Sequence, residues 1–207
     1  MKRRFFLGLF PALLGQSKGE DPFTKLPPEI LRNARMNGII MIRHPEPLGI
    51  TSHATLITPS EPGERLTVHG QVVDAQDLKP RANVTVYAYN TDAQGYYGEN
   101  KAEYPPRLYG WARTDREGRF ELSTIKPGRY PTMRVPAHIH FALWGAGFPP
   151  QGGSEVQFEG DSYLTPQMLA EDRALGEFRM IQPLRKAPDG TWECSVRIKA
   201  QHTSNWR

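Results

Sequence analysis

Short turn sequences divide the second half of the chain into segments no longer than a typical strand. Such turns occur at residues 115–118 (DREG), 126–128 (KPG) and 188–190 (PDG), and the 207 residues include 19 Gly and 19 Pro. The segments between turns are rich in β-branched and aromatic residues, as in residues 83–89 (NVTVYAY). Runs of this kind bounded by turn residues are typical of strands. The sequence therefore predicts an all-β fold, a compact antiparallel β-sandwich with long loops and one short helix.

Two segments depart from the strand pattern. Residues 165–175 (TPQMLAEDRAL) are the predicted helix, because Thr165 can cap it, Pro166 suits its first turn and Gly176 can end it. Residues 91–108 (TDAQGYYGENKAEYPPRL) hold two Gly and two Pro and cannot form a regular strand throughout. A loop of this length in a compact domain is usually functional, so we expect it to contribute to a site.

Two hairpins are predicted from strand-like runs that flank turns. The first joins residues 108–114 (LYGWART) to residues 119–125 (RFELSTI). The second joins residues 178–186 (FRMIQPLRK) to residues 191–199 (TWECSVRIK). Each pair of runs is separated by a short turn that contains glycine, which is the usual arrangement of antiparallel neighbours.

The N-terminal part of the chain has a different character. Residues 1–18 begin with a basic segment that includes Arg3 and Arg4, followed by an apolar stretch too short to span a bilayer. This predicts an export signal that resembles the bacterial twin-arginine type, with an undetermined cleavage site. Residues 19–65 are predicted to be an extended N-terminal arm and residues 66–202 the sandwich. We therefore expect an exported, periplasmic protein without a stable membrane span once the signal is removed.

Charge and cysteine content exclude several function classes. The net charge is +4, and removing residues 1–15 takes away three basic residues, which leaves 4 − 3 = +1. No later run of basic residues is interleaved with aromatics, so nucleic acid is not an expected partner. Cys194 is the single cysteine, which excludes an intrachain disulfide and a thiolate metal cage. Any bound metal must therefore be held by nitrogen and oxygen ligands.

Residues 130–141 (YPTMRVPAHIHF) contain the pattern most relevant to function. Side chains alternate along a strand, so His138 and His140 are expected on one face of it. Two neutral imidazoles can bind one metal ion, whereas two adjacent imidazolium cations repel each other. The pattern alone also fits two surface or hydrogen-bonded histidines. Nearby oxygen donors that stand out are Tyr130, in the turn before this strand, and Tyr97, in the long loop.

Five ordered segments resemble the intradiol ring-cleaving catechol dioxygenases, most closely the protocatechuate dioxygenase branch. Within residues 66–161 they are HGQVVD, VTVYAYNTDAQGYY, GWARTDREGRFELSTIKPGRYP, RVPAHIHFALWGAG and FEGD. The resemblance implies a non-haem Fe(III) enzyme that cleaves a catechol-type ring with O2 to a cis,cis-muconate-type product. The implied partners are a small-molecule catechol and O2. The sequence does not decide which catechol is cleaved, and exposed strand edges would also allow a homo-oligomer.

The resemblance also implies which residues act at the ferric ion. The metal ligands would be His138, His140, Tyr97 and Tyr130, and two imidazoles with two phenolates suit a trivalent ion. In the family the loop tyrosine is the ligand that the substrate displaces. Tyr97 would therefore be the dissociable ligand and Tyr130 the permanent one. Tyr96 is the adjacent rival to Tyr97 for this role.

Two positions depart from the family pattern. The arginine that usually precedes the proline of the histidine motif is replaced by Val135, and Arg134 is the candidate catalytic residue in its place. Neighbouring strand positions face opposite ways, which counts against a simple exchange. The glutamine expected four residues before Glu159 is replaced by Glu155, whose carboxylate could accept a proton or hydrogen-bond a ligand. The sequence leaves open whether Arg134 or Glu155 takes over the missing roles.

Two other functions are compatible with parts of the sequence. Residues 70–95 also resemble transthyretin-like or carboxypeptidase-regulatory-like sandwiches, which would make the chain a non-catalytic exported binding module. Those folds explain the strands but give no reason for the histidine motif. A copper or zinc site on His138 and His140 is the other alternative, and it would leave Tyr97 and Tyr130 without a role.

Overall fold

The structure is a computed structural model that describes residue 44 and residues 46–101 and 105–202. The predicted export signal and most of the predicted arm lie outside these residues. The described residues form ten strands, one α-helix and two short 3-10 helices. In chain order they are β1 (His53–Thr55), β2 (Arg65–Asp74), β3 (Thr85–Asn90), a 3-10 helix (Glu99–Lys101), β4 (Leu108–Arg113), β5 (Arg119–Ile125), β6 (His138–Gly145), β7 (Phe148–Phe158), α1 (Pro166–Ala174), a 3-10 helix (Gly176–Phe178), β8 (Ile181–Gln182), β9 (Arg185–Lys186) and β10 (Trp192–Ala200).

Two five-stranded sheets pack against each other. The first has the strand order β1-β5-β2-β10-β9, and the second has the order β4-β3-β6-β7-β8. Buried residues of both sheets form one apolar core, as expected for a sandwich. The predicted all-β sandwich is thus confirmed. Strand β1 falls within the predicted arm, but it belongs to the sandwich as an edge strand paired with β5.

The strand pairing differs from the two predicted hairpins. The prediction that residues 108–125 form a hairpin is wrong, because β4 lies in the second sheet and β5 in the first. The second hairpin is confined to two residue pairs between β9 and β10. Strand β10 instead pairs along its whole length with β2, in parallel. Pairs β1–β5 and β7–β8 are also parallel, so both sheets are mixed rather than wholly antiparallel.

Alternation along the strands of the second sheet separates two apolar regions. On the inner face, Ile139, Phe141 and Leu143 of β6 are at most 2% exposed and belong to the core between the sheets. Phe141 meets Phe120 of β5 edge to face, with ring centroids 6.0 Å apart. The outer face carries a second group of buried residues, which we call the aromatic cluster: Tyr87, Tyr89, Tyr97, Trp111, Ala142 and Trp144.

Helix α1 forms where the sequence predicts it. Thr165 Oγ1 accepts a hydrogen bond from the Met168 N–H at 3.1 Å, which caps the helix. The buried Asp172 carboxylate accepts hydrogen bonds from the N–H groups of Met180 and Ile181 at 2.6 and 3.0 Å, which ties the helix to β8. In the part of the chain that the structure describes, no helix has the length and apolar character needed to cross a bilayer.

Candidate metal centre

Two histidines open strand β6 on the face that carries the aromatic cluster. His138 is 6% exposed, and the side chain of His140 is 18% exposed. Their Nε2 atoms are 2.9 Å apart and their rings meet edge to face. The two imidazoles thus lie on one side of the strand, as alternation predicts, while Ile139 between them belongs to the core.

Two loops bring tyrosines to these histidines, and they touch through two glycines. Tyr97 follows β3 and Tyr130 follows β5. A Cβ at Gly95, which has a φ of 92°, would overlap the carbonyl oxygen of Arg129. A Cβ at Gly128 would lie 2.5 Å from the Gly95 nitrogen. Because only glycine permits this approach of the two backbones, both glycines are needed for the tyrosines to meet.

Hydrogen bonds and ion pairs hold the two loops together. The Gly128 N–H donates to the Asp92 carbonyl oxygen at 2.8 Å, and the Thr91 hydroxyl donates to the Gly128 carbonyl oxygen at 2.7 Å. Arg107 then donates to the Asp92 carboxylate at 3.2 Å and to both oxygens of the buried Glu61 at 2.6 and 2.8 Å. The long loop after β3 is therefore fixed at several points, as a loop that presents a ligand must be.

Four donor atoms from these segments converge. The Tyr97 hydroxyl is hydrogen-bonded to the Tyr130 hydroxyl, and its oxygen is 2.8 Å from His140 Nε2. The Tyr130 oxygen is 3.0 Å from His138 Nε2 and 3.4 Å from His140 Nε2. Each donor atom therefore lies within hydrogen-bonding distance of at least two others, which is the arrangement needed to share one cation.

Contacts on the far side of each imidazole determine which nitrogen faces the tyrosines. His138 Nδ1 donates to the carbonyl oxygen of Pro136 at 2.7 Å, and His140 Nδ1 donates to the Glu155 carboxylate at 3.0 Å. Tyr89 stacks on the His140 ring, with centroids 4.6 Å and planes 16° apart. Because Nδ1 carries the proton in each neutral ring, both Nε2 atoms present a lone pair to the tyrosine oxygens.

Burial and mutual charge set the protonation states of this group. Burial, followed by the charge and hydrogen bond of Tyr130, raises the pKa of Tyr97 far above its ordinary value. Burial and the neighbouring His140 lower the pKa of His138. Burial alone would raise the pKa of Glu155, but the hydrogen bond and charge of His140 outweigh it and the pKa is lowered. Without a cation at neutral pH, Tyr97 is therefore protonated, His138 neutral and Glu155 ionised.

The chemistry of the four donors fits a ferric ion. Two imidazole lone pairs 2.9 Å apart repel each other unless a proton or a cation lies between donor atoms. The two phenol protons cannot serve both lone pairs and the Tyr97–Tyr130 hydrogen bond at once, whereas a metal that replaces those protons would meet two neutral nitrogens and two phenolates. These ligands contribute a charge of −2, which leaves about +1 on a trivalent ion and none on a divalent ion. A trivalent, oxygen-seeking metal is thus the better match.

A carboxylate lies beside this group without sharing its centre. His138, His140 and Glu155 offer donor atoms within 4.8 Å of one another. The Glu155 oxygen, however, is hydrogen-bonded to Nδ1 of His140, whereas the tyrosine oxygens contact Nε2 on the other side of the same ring. The carboxylate therefore supports His140 rather than facing the point between the four donors.

The remaining sequence candidates lie outside this group. Arg134 is exposed, and its guanidinium carbon is 5.3 Å from the centroid of the Tyr163 ring. Tyr96 is partly exposed, with the Lys101 ammonium 5.5 Å from its ring centroid, so the loop brings Tyr97 and not Tyr96 to the histidines.

The sequence does not predict that Tyr89 contributes to this centre. Its position in the strand-like run of residues 83–89 predicts only strand packing for Tyr89, yet its ring stacks on His140. The alternation of Tyr87 and Tyr89 within β3 indicates that they share a face, but contact with His140 depends on the β3–β6 register, which places Tyr89 opposite His140. That register is not encoded in either strand by itself.

Comparison with known families and sequences gives matches that include these residues. The family model described as Dioxygenase matches residues 51–195, a range that contains all four donors and Glu155. The beta chain of protocatechuate 3,4-dioxygenase from Burkholderia cepacia is 35% identical over 137 aligned positions, which cover 57% of this chain and 57% of that protein. The chain thus spans little more than half the length of this relative.

Solved structures have the same fold. The dioxygenase domain of a carbohydrate-binding fusion protein from Streptomyces sp. SirexAA-E has a TM-score of 0.54 and 24% identity, covering 72% of this chain and 87% of that one. The 3-chlorocatechol 1,2-dioxygenase of Rhodococcus opacus 1CP has a TM-score of 0.58 and 23% identity, covering 78% and 71%. At these identities the likeness shows a shared sandwich.

Proposed function

Because the chain belongs to the intradiol ring-cleaving dioxygenase family, we propose that it is an oxidoreductase that cleaves a catechol-type ring with O2 at a non-haem ferric ion. The product class is a cis,cis-muconate-type acid. The observation that carries this proposal is the convergence of His138, His140, Tyr97 and Tyr130 within hydrogen-bonding distance. Neither a binding module nor a divalent copper or zinc site requires two tyrosine oxygens at that point.

These four residues would hold the metal, with different tasks for the two tyrosines. When bound, the ion supplies Lewis acidity that draws electron density from a chelated diol and makes a ring carbon reactive toward O2. Tyr130 contacts both histidines, which supports its assignment as the permanent ligand. Tyr97 contacts one histidine and the Tyr130 hydroxyl, which supports its assignment as the ligand that yields to substrate.

Tyr97 is also the proposed proton acceptor for the diol. A catechol that would bind as a dianion must lose two protons, of which Tyr97 would take up one by becoming a neutral phenol and solvent would take up the other. Burial raises the pKa of Tyr97, so its oxygen holds a proton firmly once no cation compensates its charge. The substrate class that follows is an electron-rich ring with adjacent hydroxyls.

The rival tyrosines provide a direct test of this assignment. We expect Tyr97→Phe to lower ring cleavage by roughly 100-fold or more, because a positioned general acid–base contributes about 10²–10⁴-fold. Tyr96→Phe should change it less than about twofold and serves as the matched control. Turnover and the visible spectrum of both variants give the answer, and a larger effect of Tyr96→Phe would contradict the assignment.

The proposed activity can be tested on the purified protein loaded with iron. Tyrosinate bound to ferric iron absorbs visible light, so the sample should be red-brown, and anaerobic catechol should shift the band. Admission of O2 should then consume one equivalent and yield a muconic acid, with catechol and protocatechuate compared as substrates. Tyr130→Phe should remove much of the absorbance, whereas Tyr109→Phe, a tyrosine outside the centre, should not. A colourless, iron-free protein would contradict the proposal.

Arg134 remains a predicted catalytic residue that the same assay can test. In the structure its guanidinium faces the ring of Tyr163. A tenfold loss of kcat in Arg134→Gln would support a role at the substrate. An unchanged kcat would show that Arg134 does not replace the arginine that the family usually has at the position of Val135.

We also propose that the protein is exported to the periplasm of a bacterium. The support is the sequence of residues 1–18, with its basic start, its paired arginines and its short apolar stretch. Replacement of Arg3 and Arg4 by lysine should retain the protein in the cytoplasmic fraction. Equal amounts of the variant and the wild type in the periplasmic fraction would contradict twin-arginine export.

A further inference from the structure

We propose that Glu155 is a positioning residue that tunes the ferric centre by making His140 the stronger of its two nitrogen donors. The inference rests on the proposed function and deepens it. Glu155 occupies the position where the family pattern has a neutral glutamine, so the effect would belong to this chain and not to the family pattern.

The two strands that carry these residues place them directly opposite each other. In the antiparallel pair β6–β7, His140 is the register partner of Glu155. Their side chains meet at 3.0 Å, and the Glu155 side chain is 33% exposed. Tyr89 stacks on the face of the same imidazole from β3. One contact fixes the plane of the ring and the other fixes its rotation, so Nε2 of His140 is held toward the tyrosines.

The second histidine has a weaker partner. His138 Nδ1 donates to the uncharged carbonyl of Pro136, at 2.7 Å. A carboxylate attracts the Nδ1 proton more strongly than a carbonyl does, which increases the electron density available at the opposite nitrogen. The two imidazoles are therefore unequal donors, and the stronger one is the neighbour of Tyr97.

The charge of Glu155 is directed at His140. In the described part of the chain no lysine or arginine forms an ion pair with Glu155, and the side chain that its carboxylate contacts is that of His140. A negative charge that acts through one ligand favours the higher charge state of the metal. Glu155 should therefore raise affinity for ferric iron relative to ferrous iron and resist reduction of the centre by electron-rich substrates.

Glu155→Gln separates charge from position, because the glutamine oxygen can still accept the Nδ1 proton. We expect this variant to keep one iron per chain but to lose about tenfold in ferric-over-ferrous affinity, a rise of about 59 mV in the one-electron midpoint potential. The tyrosinate absorption band should shift with it. Glu121→Gln is the matched control, since Glu121 contacts Nδ1 of His69 at 3.3 Å on the other sheet. Its potential and band should equal those of the wild type.

Each alternative result has a distinct meaning. A wild-type potential and band in Glu155→Gln would overturn the proposal while leaving the proposed function intact. Complete loss of iron from a folded Glu155→Gln would also overturn it, since the carboxylate would then be a ligand. A wild type without iron or visible absorbance would overturn the proposed function, and this inference with it.

A measurement on the wild type keeps the proposal testable if the variant does not fold. Loaded with diamagnetic Ga(III), the protein should show the Nδ1 proton of His140 downfield of that of His138 in its NMR spectrum, because a carboxylate acceptor deshields it more than a carbonyl. The opposite order would overturn the proposal.

Discussion

The two faces of the second sheet are built from the same strands but bury different kinds of side chain. Along β6 the inner residues Ile139, Phe141 and Leu143 are aliphatic or aromatic hydrocarbons packed into the core. The outer residues of the same strand include His138 and His140, and their neighbours carry hydroxyl groups. Both faces are largely buried, so burial alone does not distinguish the core from the site.

The difference lies in what each buried side chain requires. A hydrocarbon needs only close contact, whereas a buried nitrogen or oxygen needs a partner for each lone pair and proton. Around the two histidines, the outer face meets that demand with a group of polar side chains, namely His138, His140, Tyr97, Tyr130 and Glu155. We infer that the inner face determines whether the chain folds and the outer face determines whether it binds metal.

Of the substitutions that distinguish the two faces, removal of one imidazole is expected to have the largest effect on activity. His138→Ala should lower ring cleavage by more than about 100-fold, because even loss of a supporting residue costs roughly 10–100-fold at metal sites. Iron content and O2 uptake measure the effect. His69→Ala, a histidine of the first sheet, should retain full activity. Wild-type iron affinity in His138→Ala would show that the outer face does not bind the metal as described.

The matching substitution on the inner face is at the next residue of β6, Ile139. Ile139→Ala should lower the free energy of unfolding of the metal-free protein by about 2–5 kcal/mol, because Ile139 is fully buried in the core. Ile139→Val should cost only about 0.5–1.5 kcal/mol. Below its melting temperature the Ile139→Ala protein should still bind iron and show the tyrosinate absorption band. Loss of that band in a folded sample would contradict the view that the inner face does not determine metal binding.

A glycine at the contact of the two loops tests whether the outer face depends on backbone approach. Gly95→Ala and Gly190→Ala share a positive φ, 92° and 88°, and hence a backbone penalty of about 1–2 kcal/mol. Only at Gly95 would the new Cβ also overlap backbone, since nothing lies within 4 Å of a Cβ at Gly190. We expect weaker iron binding in Gly95→Ala alone. Equal iron affinity in the two variants would contradict this view.

The smallest effect concerns pH in the metal-free protein. Burial and His140 lower the pKa of His138, so below about pH 6.5 the unfolded chain takes up a proton before the folded protein does. The contribution of His138 to stability is therefore present above that pH and is lost as the pH falls. The slope is at most about 1.4 kcal/mol per pH unit for one proton. Denaturant unfolding of wild type and His138→Gln between pH 7 and 5 should show a smaller slope in the variant.

Local sequence signals predict the parts of this molecule that depend on neighbouring residues. Alternation places His138 and His140 on one face, and the capping pattern at Thr165 predicts α1. The resemblance to a family adds the two tyrosines, which lie 33 residues apart in the chain and meet through loops. No sequence periodicity connects positions so far apart. From the sequence alone, the four residues could therefore be grouped only through the resemblance to the family.

Pairing between distant strands is the part that could not be predicted. A short turn such as residues 115–118 looks the same whether the next strand returns beside the first or crosses to the opposite sheet. Strands β4 and β5 both contribute side chains to the core, and they do so from opposite sides. Tyr89 was missed for the same reason, because its contact with His140 follows from register between strands.

The parallel pairing of β10 with β2 has a consequence for the order of synthesis. Trp192 pairs with Leu66, a partner 192 − 66 = 126 positions earlier, and β10 lies between β2 and β9 in the first sheet. On a ribosome, all described strands of the second sheet emerge before this one, so a nascent chain can present all four residues of the proposed metal centre while one side of its core is still open to water. Contacts of such long range also form slowly. Of the described strands, β10 is thus the last to be translated, and it completes the core from the side of the first sheet, so a chain shortened before Trp192 would carry the four donor residues on an incomplete sandwich.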